Sequence, residues 1–136
     1  MRSPDHNDAD LILKLYDLRR ETVMRQARNF WGNFQPKKIE EVKALLDPGH
    51  PQNASFRQVT SYWEMAASFV NREILHHDLF ADNCGEGLFV YAKLEPFLAE
   101  LRETYNPTFL AQIEKAVSQH PAIREKLGRI RERLKK

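Results

Sequence analysis

Cysteine is nearly absent from this chain. Cys84 stands alone among 136 residues, so no internal disulfide can staple the fold. Glycine is scarce too, with five, and β-branched residues seldom alternate with polar ones, which argues against a sheet protein built on tight glycine turns. No apolar run approaches the roughly 18 residues that a bilayer span needs. The start, Met1-Arg2-Ser3-Pro4-Asp5-His6-Asn7-Asp8, has no apolar core of a secretory signal, so a cytoplasmic location is expected. Net charge is only +2, too small to imply a nucleic-acid or membrane partner by itself.

What is present is enough apolar material for one core. Hydrophobic residues make up 42% and charged residues 29%, a balance that offsets the entropy of ordering the backbone. The length suits one domain covering 1–136. Charge is uneven along it: residues 124–136 hold Arg124, Lys126, Arg129, Arg131, Arg133, Lys135 and Lys136 against Glu125 and Glu132, a local +5 that leaves −3 for the rest.

Apolar residues recur at three and four throughout, predicting an all-α fold, an irregular bundle of five or six helices. After a disordered stretch over 1–7, a first helix is capped by Asn7 or Asp8 and runs to Trp31-Gly32, with Leu11, Ile12, Leu15, Leu18, Thr22, Val23 and Phe30 on one side. A second starts at Pro36 and ends at the breaker Asp47-Pro48-Gly49-His50-Pro51. A third, from Asn53 or Ser55 to Leu75, and a fourth, from Asp82 or Asn83 to Thr104, form a long central hairpin around a polar connection. Pro96 should kink the fourth. Asn106-Pro107 opens a fifth that stops near His120-Pro121. The last, basic and amphipathic over 122–136, carries the stripe Ile123, Leu127, Ile130 and Leu134, suited to docking on the body or to pairing with a second copy.

Chemistry-bearing residues are few. Glu73-Ile74-Leu75-His76 puts a carboxylate and an imidazole at the spacing of carboxylate-bridged metal sites, but no second such pair exists, so metal binding by Glu73 and His76 is a minor alternative to a polar helix end. Gly85-Glu86-Gly87 lacks the strand and lysine of a phosphate loop and carries a carboxylate where an anion would sit. Cys84 has no partner signature of a nucleophile and is expected as a small buried filler. Arg19 and Gln26 fall within the first helix's apolar stripe, and Glu64, Ser68 and Asn71 make a narrow polar strip on the third. A buried ion pair between Arg19 and Glu64 is the structural expectation. The alternative is a small-molecule pocket in which Glu64 and Asn71 converge with Tyr62, Trp63 and Tyr91.

The residues Ser61-Tyr62-Trp63-Glu64-Met65-Ala66-Ala67-Ser68-Phe69-Val70-Asn71-Arg72-Glu73-Ile74-Leu75, then Asp78-Leu79-Phe80-Ala81-Asp82-Asn83-Cys84-Gly85-Glu86, then Tyr91-Ala92-Lys93-Leu94-Glu95-Pro96-Phe97 and Arg102 resemble the bacterial all-helical domain of unknown function DUF4760. The resemblance covers Phe56 to Arg102 and extends weakly over the first helix. It departs at Asn83-Cys84, where a hydrophobic residue is expected before Gly85, and at Ala92, where a second aromatic is expected. Many members carry an N-terminal transmembrane helix, whereas no such apolar run is present here, so a free cytosolic version is expected. It implies no activity and no catalytic residues.

No motif has catalytic spacing and none calls for a cofactor. The leading expectation is a non-enzymatic protein-interaction or regulatory module, with a protein partner or a second copy of itself as a homodimer. The alternatives are a small-ligand or metal-binding protein using the Glu64 to His76 face, and a weak nucleic-acid binder acting through the basic C-terminal helix.

Overall fold

A computed structural model describes residues 2–135. Met1, at the start of the expected disordered stretch, and Lys136, at the end of the basic helix, lie outside the described residues. The elements in order are α1 His6–Arg19, α2 Thr22–Asn33, α3 Ile39–Leu46, α4 Asn53–Asn71, α5 His77–Asn83, α6 Gly85–Leu94, a single 3-10 turn Glu95–Phe97, α7 Leu98–Thr104, α8 Ala111–Gln119 and α9 Pro121–Leu134. Among the described residues there is no strand. The all-α expectation holds, while the helices are shorter and more numerous than five or six, and the two-helix hairpin is absent.

Local chemistry accounts for each division. The expected first helix breaks because Glu21 leaves helical geometry at ψ 144° and turns its carboxylate onto the Met24 N–H at 3.0 Å, capping α2. The Val23 and Met24 backbone N–H groups hold the Glu21 carboxyl below its usual range. The helix expected to start at Pro36 starts at Ile39 instead, as α3. At Pro96 the missing amide donor is accommodated by the 3-10 turn between α6 and α7. Asn106 does not open a helix: its Oδ1 accepts the Thr108 N–H at 3.1 Å in a local turn, and α8 begins only after Leu110, held left-handed at φ 58° and buried.

The end of α4 is the most consequential correction. Glu73 N–H reaches the Val70 carbonyl at 3.0 Å and Ile74 N–H reaches Phe69 at 2.9 Å, the paired bonds of a Schellman motif, with Glu73 at φ 62° in the place glycine usually takes. The helix therefore stops at Asn71, and Ile74 is exposed instead of continuing the apolar stripe. The polar connection beyond it then folds as α5.

The core is built on α4, which packs against α2 on one flank and α8 on the other, and also meets α3 and α6. Its buried Phe56, Val59, Tyr62, Trp63, Ala66, Ala67 and Val70 supply the central layer. Trp31 and Phe109 sandwich Phe56 at ring separations of 5.5 and 5.9 Å, tying α2, α4 and the segment before α8 together. Gly87 of α6 lies against the Trp63 indole so closely that an added Cβ would fall 2.7 Å from its ring. Buried Cys84 fills the α5–α6 junction, and burial pushes its thiol up to about 11, as suits a filler.

The C-terminal stripe is consumed internally. Ile123, Leu127 and Ile130 are buried and Leu134 half-buried as α9 lies across α6, α5 and α8, a burial that stabilises docking by about 1.5–3 kcal/mol for each full side chain. It is therefore not a free surface for a second copy.

The N-terminus is tied down rather than loose. Asp5 caps α1 in a reciprocal capping box with Asp8. The buried Asp8 carboxylate accepts from the Arg2 guanidinium and, at 2.8 Å, from the His76 backbone N–H. Arg2 also donates to the Ile74 carbonyl at 3.2 Å. The Arg2 side-chain hydrogen bond holds the Asp8 carboxyl well below its ordinary range, aided by the amides of Asp5 and His76.

Two outcomes test these assignments. Replacing Glu73 by Gly should raise stability by about 1 kcal/mol in urea titration, the reverse of the usual effect of glycine near a helix, because the left-handed strain is removed. Since the Asp8 carboxyl is depressed on folding, its stabilisation is complete above the ordinary carboxylate pKa of 3.8 and fades as pH falls below it. Melting curves followed from neutral pH into acid should show Asp8→Asn less acid-sensitive than the wild type, although less stable at neutral pH.

Candidate functional site

Helices α2, α6 and α9, with the end of α1, enclose a cleft of about 550 Å³. Its walls bring together Arg19, Arg28, Lys93 and Arg133 with the half-buried ring of Phe89, while the Trp31 side chain is buried in the core behind them. Glu86 is the carboxylate among its lining residues, so four cations face one anion, a local excess of three positive charges.

Each charged group is set by its helix. Glu86 sits in the first turn of α6, where the dipole favours a carboxylate. It accepts Arg28 Nε at 2.6 Å and Trp63 Nε1 at 3.1 Å, and Arg19 Nη2 stands 3.9 Å away. Lys93, two turns on, donates to the Trp31 carbonyl at 2.5 Å, satisfying a C-terminal acceptor of α2. Burial lowers the Lys93 pKa. The Arg19 guanidinium lies 5.4 Å from the Trp63 ring and that of Arg133 lies 5.1 Å from Phe89. Arg19 Nε is buried with no hydrogen-bond partner among the described residues. Glu86 is thus shared between two guanidiniums and an indole, which leaves the cleft short of negative charge. Such a cavity, apolar in its walls and cationic in its polar groups, fits an anion carried on an apolar body.

The residues expected to form a pocket go elsewhere. Tyr62 donates to the Leu15 carbonyl at 2.5 Å, and burial pushes its phenol up to about 12. Glu64 accepts the N–H groups of Gln112 and Ile113 at 3.1 and 2.9 Å, capping the start of α8. Burial outweighs those donors and raises its carboxyl pKa. Asn71 bonds the Gln112 carbonyl at 2.9 Å. Tyr91, also raised to about 12 by burial, points toward Glu114 at a long 3.5 Å. Only Trp63 reaches toward the cleft, through Glu86. These side chains therefore fasten helices together and do not converge on one ligand.

The expected Arg19 and Glu64 pair does not form. The division after Arg19 carries its guanidinium toward α6, where Glu86 is the acid it meets, while Glu64 faces α8. Gln26 is exposed. Glu73 and His76 do not share a helical face, because the chain leaves the helix between them. Both ring nitrogens of His76 are engaged: Nε2 donates to the Arg2 carbonyl at 2.6 Å and Nδ1 accepts the Asp78 N–H at 3.1 Å.

Sequence reasoning missed Arg28, Glu86, Lys93 and Arg133 as a group. The Gly85-Glu86-Gly87 stretch is a local signal, since its carboxylate at a helix start suggests a fixed counter-charge. The four cations of the cleft come from four helices, α1, α2, α6 and α9, and no spacing announces them.

The family model described as Domain of unknown function (DUF4760) matches residues 4–119. No curated protein and no solved structure matches the chain. The matched span includes Arg19, Arg28, Glu86 and Lys93, and α9, with Arg133, follows it.

Proposed function

The chain belongs to the DUF4760 family, and we propose that it is a non-enzymatic binding module whose cleft takes an organic anion, a phosphate or carboxylate joined to an apolar ring. The observation that carries this reading is the convergence of Arg19, Arg28, Lys93 and Arg133 against Glu86 alone. The guanidiniums would meet the anionic group, and the half-buried Phe89 and Leu134 would cover the ring. Among the described residues no helix is long and apolar enough to cross a membrane.

The basic helix gives the nucleic-acid alternative less support, because several of its cations contact other protein groups. Lys126 donates to the Ala81 carbonyl at 2.8 Å and Arg124 to that of Ser118 at 3.1 Å. Arg131 pairs with Glu95, Arg129 with Glu125 and Lys135 with Glu132. Arg133 turns into the cleft. A second reading, an interaction surface for a protein partner or another copy of this chain, is favoured by the exposed apolar residues Leu13, Tyr16, Leu18 and Val23 around the α1–α2 corner.

For the cleft, calorimetry with naphthyl phosphate and naphthoate should give saturable binding that uncharged naphthalenemethanol does not reproduce. Arg133→Ala should weaken it by about tenfold, the worth of one charge-assisted contact. Equal binding of the uncharged analogue, or indifference to Arg133→Ala, would discard the anion reading. For the corner, light scattering across a concentration series should detect self-association that Leu13→Glu with Tyr16→Glu abolishes; a monomer throughout removes the self-pairing form of that reading.

A further inference from the structure

A second concavity of about 440 Å³ lies on another side of the molecule, where the N-terminal segment, the end of α4, the start of α5 and the α8–α9 corner meet. Three imidazoles line it in a column. His76 stacks on His77 with ring centres 4.4 Å apart and 23° between planes, and His77 stacks on His120 at 4.3 Å and 12°. Asp78 stands beside them, its Oδ1 3.5 Å from His77 Nε2. One ligand-type atom from each of His76, His77 and Asp78 can be chosen so that all three lie within 4.8 Å of one another, a group that does not include His120, which adjoins it through the ring stack on His77.

The three rings are not equivalent. His76 is buried and fixed by the Arg2 carbonyl and the Asp78 amide, so its lone pair is already used and it serves as a rigid platform. His77 and His120 are half-buried and face the cavity, and neither ring donates to or accepts from a described protein group in a normal hydrogen bond. The charged groups facing the column are Arg2 from the N-terminal segment, Glu73 from the end of α4 and Asp78 from α5.

We infer that His77, Asp78 and His120 form a binding site for a borderline divalent transition metal such as Zn²⁺, with His76 as the fixed support behind it. Two imidazoles and one carboxylate suit Zn²⁺, Ni²⁺ or Cu²⁺ and give too few oxygens for Ca²⁺ or Mg²⁺. Three protein ligands leave a coordination position for water or an exogenous anion. Ligation needs the His77 and His120 rings to turn out of their parallel stack about the Cβ–Cγ bond so that one nitrogen from each points at the ion. His77 and His120 come from the starts of different helices, so a bound ion would also clamp α5 to α9.

The test is calorimetry of the full chain, stripped with EDTA, against ZnCl₂ and separately against MgCl₂. A single Zn²⁺ site is expected, with no Mg²⁺ binding and with affinity falling as pH drops below about 6. His77→Gln and His120→Gln should each weaken Zn²⁺ by tenfold or more, whereas His50→Gln, in the Asp47–Pro51 turn, should change nothing. Should either variant fail to fold, the wild type decides alone: Zn²⁺ should shift the imidazole carbon–hydrogen resonances of His77 and His120 in NMR spectra. Zn²⁺ binding weaker than about 1 mM, equal loss in His50→Gln, or shifts confined to other histidines would overturn the proposal.

Discussion

Where Trp63 of α4 rests on Gly87 of α6, the two helices approach more closely than any side chain larger than hydrogen would permit. The same indole donates its Nε1–H to Glu86, so one residue sets both the separation of the helices and the position of the carboxylate. Arg28 and Arg19 then gather around Glu86 from α2 and from the end of α1. Phe89 and Lys93, one and two turns further along α6, are carried to the same side. Widening that contact by a methyl group would shift α6 and, with it, most of the cationic cleft.

A second constraint follows from helix length. Short helices leave a large share of their carbonyls without an intrahelical partner, and this chain satisfies many of them with donors from elsewhere in the fold. Lys93 serves the end of α2, Asn53 the Leu45 carbonyl of α3, Lys126 the Ala81 carbonyl of α5 and Arg124 the last turn of α8. Glu64 does the converse at the start of α8 by accepting two free amides. Polar residues that interrupt apolar faces are thus mostly helix fasteners, which is why those singled out on α4 do not assemble into a pocket. The two concavities form at places where such fasteners leave charge or ring nitrogens in excess.

Much of the fold was legible. Periodicity identifies the helical class, and Pro121 and the Asp47–Pro51 breaker mark real boundaries, while the kink expected at Pro96 is a full division by a 3-10 turn. The resemblance carried by Ser61 to Arg102 agrees with the family match over 4–119. Two of the misread boundaries share one cause. At Glu21 and Glu73 the chain turns without glycine or proline: a side-chain cap divides α1 from α2, and a left-handed glutamate ends α4. Neither residue type signals a break, because the competing helical conformation is locally just as acceptable and distant packing selects between them. The same tie applies to Arg2, whose order depends on Asp8 and on Ile74 much later in the chain.

By itself the sequence determined that this chain folds from amphipathic helices around one aromatic-rich core, since apolar spacing and composition are local properties that survive in any arrangement. It also determined that the C-terminal segment has an apolar stripe and a basic remainder. Tertiary structure alone decided that the stripe is buried against α6, that Arg19 meets Glu86 rather than Glu64, and that His77 and His120 stack across a cleft. Those outcomes depend on the angles at which short helices cross, and crossing angles are set by side-chain shape on both partners together, information that no single segment contains.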